Sequence, residues 1–67
     1  MIKTLESGAS TFVFHDEIQL GAEVDSCGWA TFGYPFSDNS RVLVDGDEWP
    51  HFVELVAKVD ELMKARK

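Results

Sequence analysis

The sequence predicts an α+β fold: an antiparallel β-meander of three to five strands packed by one C-terminal α-helix. Three observations lead there. Ile18, Leu20, Ala22 and Val24 alternate strictly with Gln19, Gly21 and Glu23, the period of a strand with one buried and one wet face. Trp49, Phe52, Val53, Val56, Val59, Leu62 and Met63 recur at spacings of three and four, the period of an amphipathic helix. The chain has 67 residues, enough for one domain only, so sheet and helix must share a core. The domain is expected to span 1–67, with strands over about 1–44 and the helix over about 46–65.

Met1 to Leu5 is a candidate first strand. Gly8-Ala9-Ser10 supplies a turn, and Thr11-Phe12-Val13-Phe14-His15 is β-branched and aromatic, the composition of a strand. The alternating run from Ile18 to Val24 follows. Asp25-Ser26-Cys27-Gly28 reads as a turn. Trp29 to Phe36 is the next strand, and Pro35, with no amide proton, ends it or marks an edge. Ser37-Asp38-Asn39-Ser40 is a polar loop, and Arg41 to Val44 is a further short strand.

Helix entry is marked twice. Asp45 with Glu48 three residues later has the form of a capping box. Pro50 instead fits the first turn of a helix capped by Asp47. The sequence leaves both open. Lys64, Arg66 and Lys67 lie at the negative end of the helix dipole, and Glu54–Lys58 and Asp60–Lys64 have favourable i,i+4 order.

A domain this small usually needs a staple. Cys27 is the single cysteine, which excludes an internal disulfide. The apolar stripe of the helix is also wider than sheet packing needs. Both features point to a homodimer. An unpaired cysteine fits a reducing compartment, and no apolar stretch approaches the ~20 residues of a membrane span. The expected location is the cytoplasm.

The net charge is −6. Within residues 1–50, nine acids face two bases, Lys3 and Arg41, leaving −7; residues 51–67 carry three acids and four bases, leaving +1. Phosphate backbones are bound by clustered Lys and Arg, which the strand region lacks. A protein with a basic surface is the better electrostatic counterpart.

Little in the sequence supplies catalytic chemistry. Cys27 has only His15 and His51 as bases, and nothing around it has the pattern of a nucleophile. His15, His51 and a carboxylate could in principle hold a metal, but no metal-ligand spacing supports this. Phosphate-binding glycine loops are absent. The expectation is therefore no catalytic residue, no metal and no cofactor. Eight aromatic residues are the richest feature. A helix covers one sheet face only, so a second apolar face would be an interaction surface. Trp29 and Tyr34, each joining an apolar body to a polar tip, are the candidate contact residues. Asp16, Glu17, Glu23 and Asp25 are the candidate acidic contacts.

The run Val42-Leu43-Val44-Asp45-Gly46-Asp47-Glu48-Trp49, leading into the helix, resembles the closing strand–cap–helix of the single-stranded-DNA-binding transcriptional coactivator (positive cofactor four) family. The resemblance covers about the last third of the chain. It implies a curved antiparallel sheet followed by a helix, in a dimer. The basic sheet residues of that family have no counterpart here, and none is carried over.

The sequence thus favours a non-catalytic acidic protein-binding module, an adaptor or inhibitor. One form of it is a nucleic-acid mimic from a phage or other mobile element. The alternatives are a sheet-based single-stranded nucleic-acid-binding or transcription-associated protein, and a small Cys/His enzyme or metal protein.

Overall fold

The computed structural model describes residues 1–36 and 41–65. The polar loop expected over 37–40, and Arg66 and Lys67 at the helix end, lie outside them. Four strands, β1 (Ile2–Ser7), β2 (Ser10–His15), β3 (Leu20–Val24) and β4 (Ala30–Gly33), precede one helix, α1 (Trp49–Ala65). The strands pair antiparallel in sequence order, β1-β2-β3-β4, as a meander. The α+β arrangement anticipated from the two periodicities is the one found.

Each connection has a local cause. Ser7 pairs with Ser10, so Gly8 and Ala9 form a two-residue hairpin loop. Gly8 has φ +61°, as the first central residue of a type II′ turn requires. Between β2 and β3, residues 16–19 form a turn rather than the start of a strand. Gln19 takes φ +55° there, and its side-chain amide donates to the Asp16 carbonyl at 2.8 Å. The alternation from Ile18 therefore begins as a strand only at Leu20. Ile18 still reaches the core, from the turn. Between β3 and β4, Asp25 Oδ1 accepts the amides of Cys27 at 2.9 Å and Trp29 at 3.0 Å. This side-chain-closed turn holds Trp29 outside the ladder and shortens the strand expected over Trp29–Phe36 to Ala30–Gly33.

The strand expected over Arg41–Val44 is not formed. The Tyr34 hydroxyl takes the place of a ladder partner. It donates to the Leu43 carbonyl at 2.9 Å and accepts from the Leu43 amide at 3.1 Å. Asp45 is the helix cap. Its Oδ1 accepts the Glu48 amide at 2.9 Å, and its own amide donates to Glu48 Oε1 at 3.4 Å, the reciprocal pair of a capping box. Pro50 is compatible with this cap because residues 46–48 are turn and α1 begins at Trp49. Proline has no amide to give back to the preceding turn, and the Phe52 amide makes the first return bond, to Glu48 at 3.0 Å.

Helix α1 lies over β2 and β3. Val13, Leu20, Ala22 and Val24 from the sheet, Ile18 from the turn, and Leu55 and Val59 from the helix are buried. Ile2, Ala30, Phe32, Phe52, Leu62 and Met63 close the margins. Only part of the apolar stripe on α1 meets the sheet: Trp49, Val53 and Val56 remain 55 %, 48 % and 40 % exposed. Of the two ion pairs expected along the helix, Asp60–Lys64 forms at 3.0 Å. Lys58 instead pairs with Glu61 at 3.6 Å, because Glu54 turns towards two histidines.

Candidate functional site

The strand register decides which side chains the helix leaves uncovered. Thr11, Val13 and His15 share a face with Leu20, Ala22 and Val24 and are buried with them. The residues between them point the other way. Two cross-strand rows result, Lys3–Phe14–Gly21–Gly33 and Leu5–Phe12–Glu23–Thr31. They floor a groove of about 470 Å³, and Tyr34, Pro35 and Phe36 form its wall. Phe36 stands edge-on to Phe14, with ring centroids 5.4 Å apart.

Gly21 is what lets this wall close down. A Cβ there would stand 3.2 Å from the Val13 carbonyl oxygen, 3.6 Å from Pro35 Cδ and 3.7 Å from the Phe14 ring. The contact with the Val13 carbonyl is the tight one, so a side chain at position 21 would press on the β2 backbone while only touching Pro35 and Phe14. Leu5, Phe12 and Phe36 present exposed apolar surface on or beside the groove, at 66 %, 39 % and 80 %. Among the described residues, charge on the groove floor comes from Lys3 and Glu23 alone. Glu23 Oε2 accepts from the Ser10 hydroxyl at 3.0 Å.

The candidate contact residues are therefore scattered. Trp29 is 72 % exposed on the β3–β4 turn. Tyr34 lines the groove, with its hydroxyl committed to Leu43. Glu23 is on the groove floor, whereas Asp25 is spent on closing its own turn. Asp16 and Glu17 lie at the far end of the sheet beside the Met1 amine, at 2.6 Å and 4.0 Å. The hydrogen bond that the amine donates to Asp16 Oδ1 holds the amine above its ordinary value of 8.0 and Asp16 below 3.8. Phe12, Phe14 and Phe36 were the residues the alternation could not place. A period of two separates the faces of a strand without saying which one the helix covers.

A second grouping lies on the helix side, where β2 ends. His15 is 1 % exposed, and its Nε2 has no hydrogen-bond partner among the described residues. Glu54 Oε1 lies 3.7 Å from that nitrogen and 3.2 Å from His51 Nδ1. The two imidazole rings are 5.0 Å apart. One ligand atom from each of the three residues falls within 4.8 Å of the others. Linear spacing hides this group, because β2 and α1 supply its members from 36 to 39 positions apart. Cys27 is exposed on the opposite turn and takes no part.

No known protein family, curated protein or solved structure matches this chain.

Proposed function

We propose that the protein is a non-catalytic protein-binding module that receives its partner in the groove on the helix-free face of the sheet. The observation that carries this reading is the apolar floor and wall of the groove, built from Leu5, Phe12, Phe14 and Phe36 on a face that no other element among the described residues covers. Contiguous exposed apolar surface on so small a domain marks an interaction site. The net charge of −6 supplies a long-range field that favours a partner with a basic surface and accelerates encounter. Affinity comes from the groove and selectivity from the field. An adaptor or an inhibitor works in this way, including one that mimics nucleic acid. The exposed free thiol of Cys27 suits the reducing cytoplasm. No helix among the described residues is long and apolar enough to cross a membrane.

The test uses the wild-type chain and Phe12→Lys as paired baits in the native lysate, with each retained protein then purified and titrated. Phe12 is partly exposed and sits opposite Glu23, so the lysine is accommodated. A basic partner should bind the wild type directly, lose at least tenfold in affinity for Phe12→Lys, and associate more slowly as salt rises. If every retained protein binds the two baits equally, the groove is not the site.

A second reading, a sheet that stacks single-stranded nucleic acid, is favoured by Phe12, Phe14 and Phe36 sharing the groove with Lys3. It predicts salt-sensitive oligonucleotide binding by the wild-type chain, which the first reading does not. The exposed flank Trp49, Val53 and Val56 supports a homodimer joined helix to helix. Sedimentation should then give twice the 7.5 kDa chain mass, and Val53→Asp should return it to the monomer. A wild-type chain that stays monomeric throughout its soluble range removes the dimer.

A further inference from the structure

We propose that His15, His51 and Glu54 form a binding site for one divalent transition-metal ion of the zinc class, independent of the groove on the other side of the sheet. The ligand set is chemically suited to such an ion. Two imidazole nitrogens and one carboxylate oxygen are the donors zinc takes when it keeps a fourth position for water. Imidazole donors also favour zinc, copper, nickel and iron over calcium or magnesium, which require oxygen.

The geometry is close to that of a loaded site. Bonds of ~2.0–2.2 Å at tetrahedral angles place neighbouring donors about 3.3 Å apart. Glu54 Oε1 already lies 3.2 Å from His51 Nδ1 and 3.7 Å from His15 Nε2, and the widest separation among the three is within 4.8 Å. Small rotations of two exposed or half-exposed helix side chains close the remainder, since His51 and Glu54 stand one turn apart on α1.

His15 provides the independent sign. Its ring is buried, yet among the described residues Nε2 has no hydrogen-bond partner. A buried polar atom left without a partner costs stability unless something satisfies it. This atom lies 3.7 Å from the Glu54 carboxylate, with the His51 ring beside it. A metal ion would satisfy all three groups together and tie the end of β2 to the first turns of α1.

Loading moves a proton. His15 Nδ1 accepts the Glu17 amide at 3.3 Å, a long contact, so in the neutral metal-free ring the proton sits on Nε2. Ligation through Nε2 returns that proton to solvent, and Nδ1 takes one up in its place. The Glu17 amide contact is then given up. Glu17 lies on the 16–19 turn, outside the ladder, and its carboxylate is an acceptor of the kind metal-bound imidazoles use.

The experiment titrates the purified, chelator-stripped chain with Co²⁺, reads the visible d–d bands, and then displaces Co²⁺ with Zn²⁺. Nitrogen NMR of the imidazoles follows the His15 tautomer in the same samples. The expected result is one ion per chain, with His15 switching from Nε2–H to Nδ1–H on loading. His51→Ala and Glu54→Gln, both at accessible helix positions, should each weaken binding at least tenfold while leaving the metal-free fold intact by circular dichroism. His15→Gln should abolish binding, but its burial makes the helix variants the deciding pair. Absence of stoichiometric Co²⁺ and Zn²⁺ binding overturns the proposal. So does binding that survives unchanged in both helix variants, or that leaves the His15 tautomer where it was.

Discussion

Phe14 and Phe36 meet edge to face with their ring planes at 84°, so a residue beyond β4 completes a surface begun on β2. Phe36 is 80 % exposed, and its one ring contact is worth roughly 0.5–1.5 kcal/mol. Phe36→Ala should therefore lower the stability read from urea melts by about that much. The same variant removes a wall of the groove and should weaken partner binding. A loss of more than about 3 kcal/mol would make Phe36 a core residue in the sense of large-to-small core substitutions and would argue against an open groove.

The helix offers a sharper contrast. Leu55 is fully buried against β2 and β3, while its neighbour Val56 is 40 % exposed. Leu55→Ala should cost about 2–5 kcal/mol from lost burial plus the cavity left behind. In so small a domain that is most of the available stability, so the variant should be largely unfolded at physiological temperature by circular dichroism. Val56→Ala should change the urea midpoint little in a monomer, and more than that only if the flank is buried in a dimer. Equal losses from the two substitutions would mean that α1 is rotated from the orientation described.

Capping separates two aspartates that sequence alone could not. Asp45 accepts the Glu48 amide, and Glu48 returns the bond. Asp45→Ala should cost about 1 kcal/mol, the usual worth of a helix N-cap. Asp47→Ala should stay within about 0.5 kcal/mol, as ordinary surface changes do. Urea melts followed at 222 nm, the conventional helix signal, would decide. The reverse ranking would transfer the cap to Asp47.

The residues that were legible in sequence are those governed by local rules. Period two located β3, spacings of three and four located α1, and Asp25 and Gly8 marked their turns. The misreadings arose where a distant group outweighed local propensity. Arg41–Val44 has strand-like composition, yet the Tyr34 hydroxyl takes up both backbone groups of Leu43. Glu54 was assigned to Lys58 by helix spacing, but the histidines on the sheet and the first helical turn draw it away. The groove depends on register, and the histidine cluster on the docking of α1 over β2. Neither leaves a mark in a single stretch of chain.

The ion pair at the far end of the sheet makes stability depend on pH at both limits. In the chain beginning at Met1, the hydrogen bond to Asp16 raises the amine above 8.0, helped by the nearby charges of Glu17 and Glu54. A raised amine contributes fully below 8.0, and its contribution is lost as pH rises through the folded value. The same bond lowers Asp16 below 3.8. A lowered carboxyl contributes fully above its unfolded value and is lost as pH falls through the folded one. The thermal midpoint of the wild type should thus exceed that of Asp16→Asn by a constant amount between pH 3.8 and 8.0, and the difference should shrink on either side. Both groups are exposed, so the amount is small and should fade in high salt. Parallel curves for the two chains on the alkaline side would show that the amine is not held by Asp16 in solution.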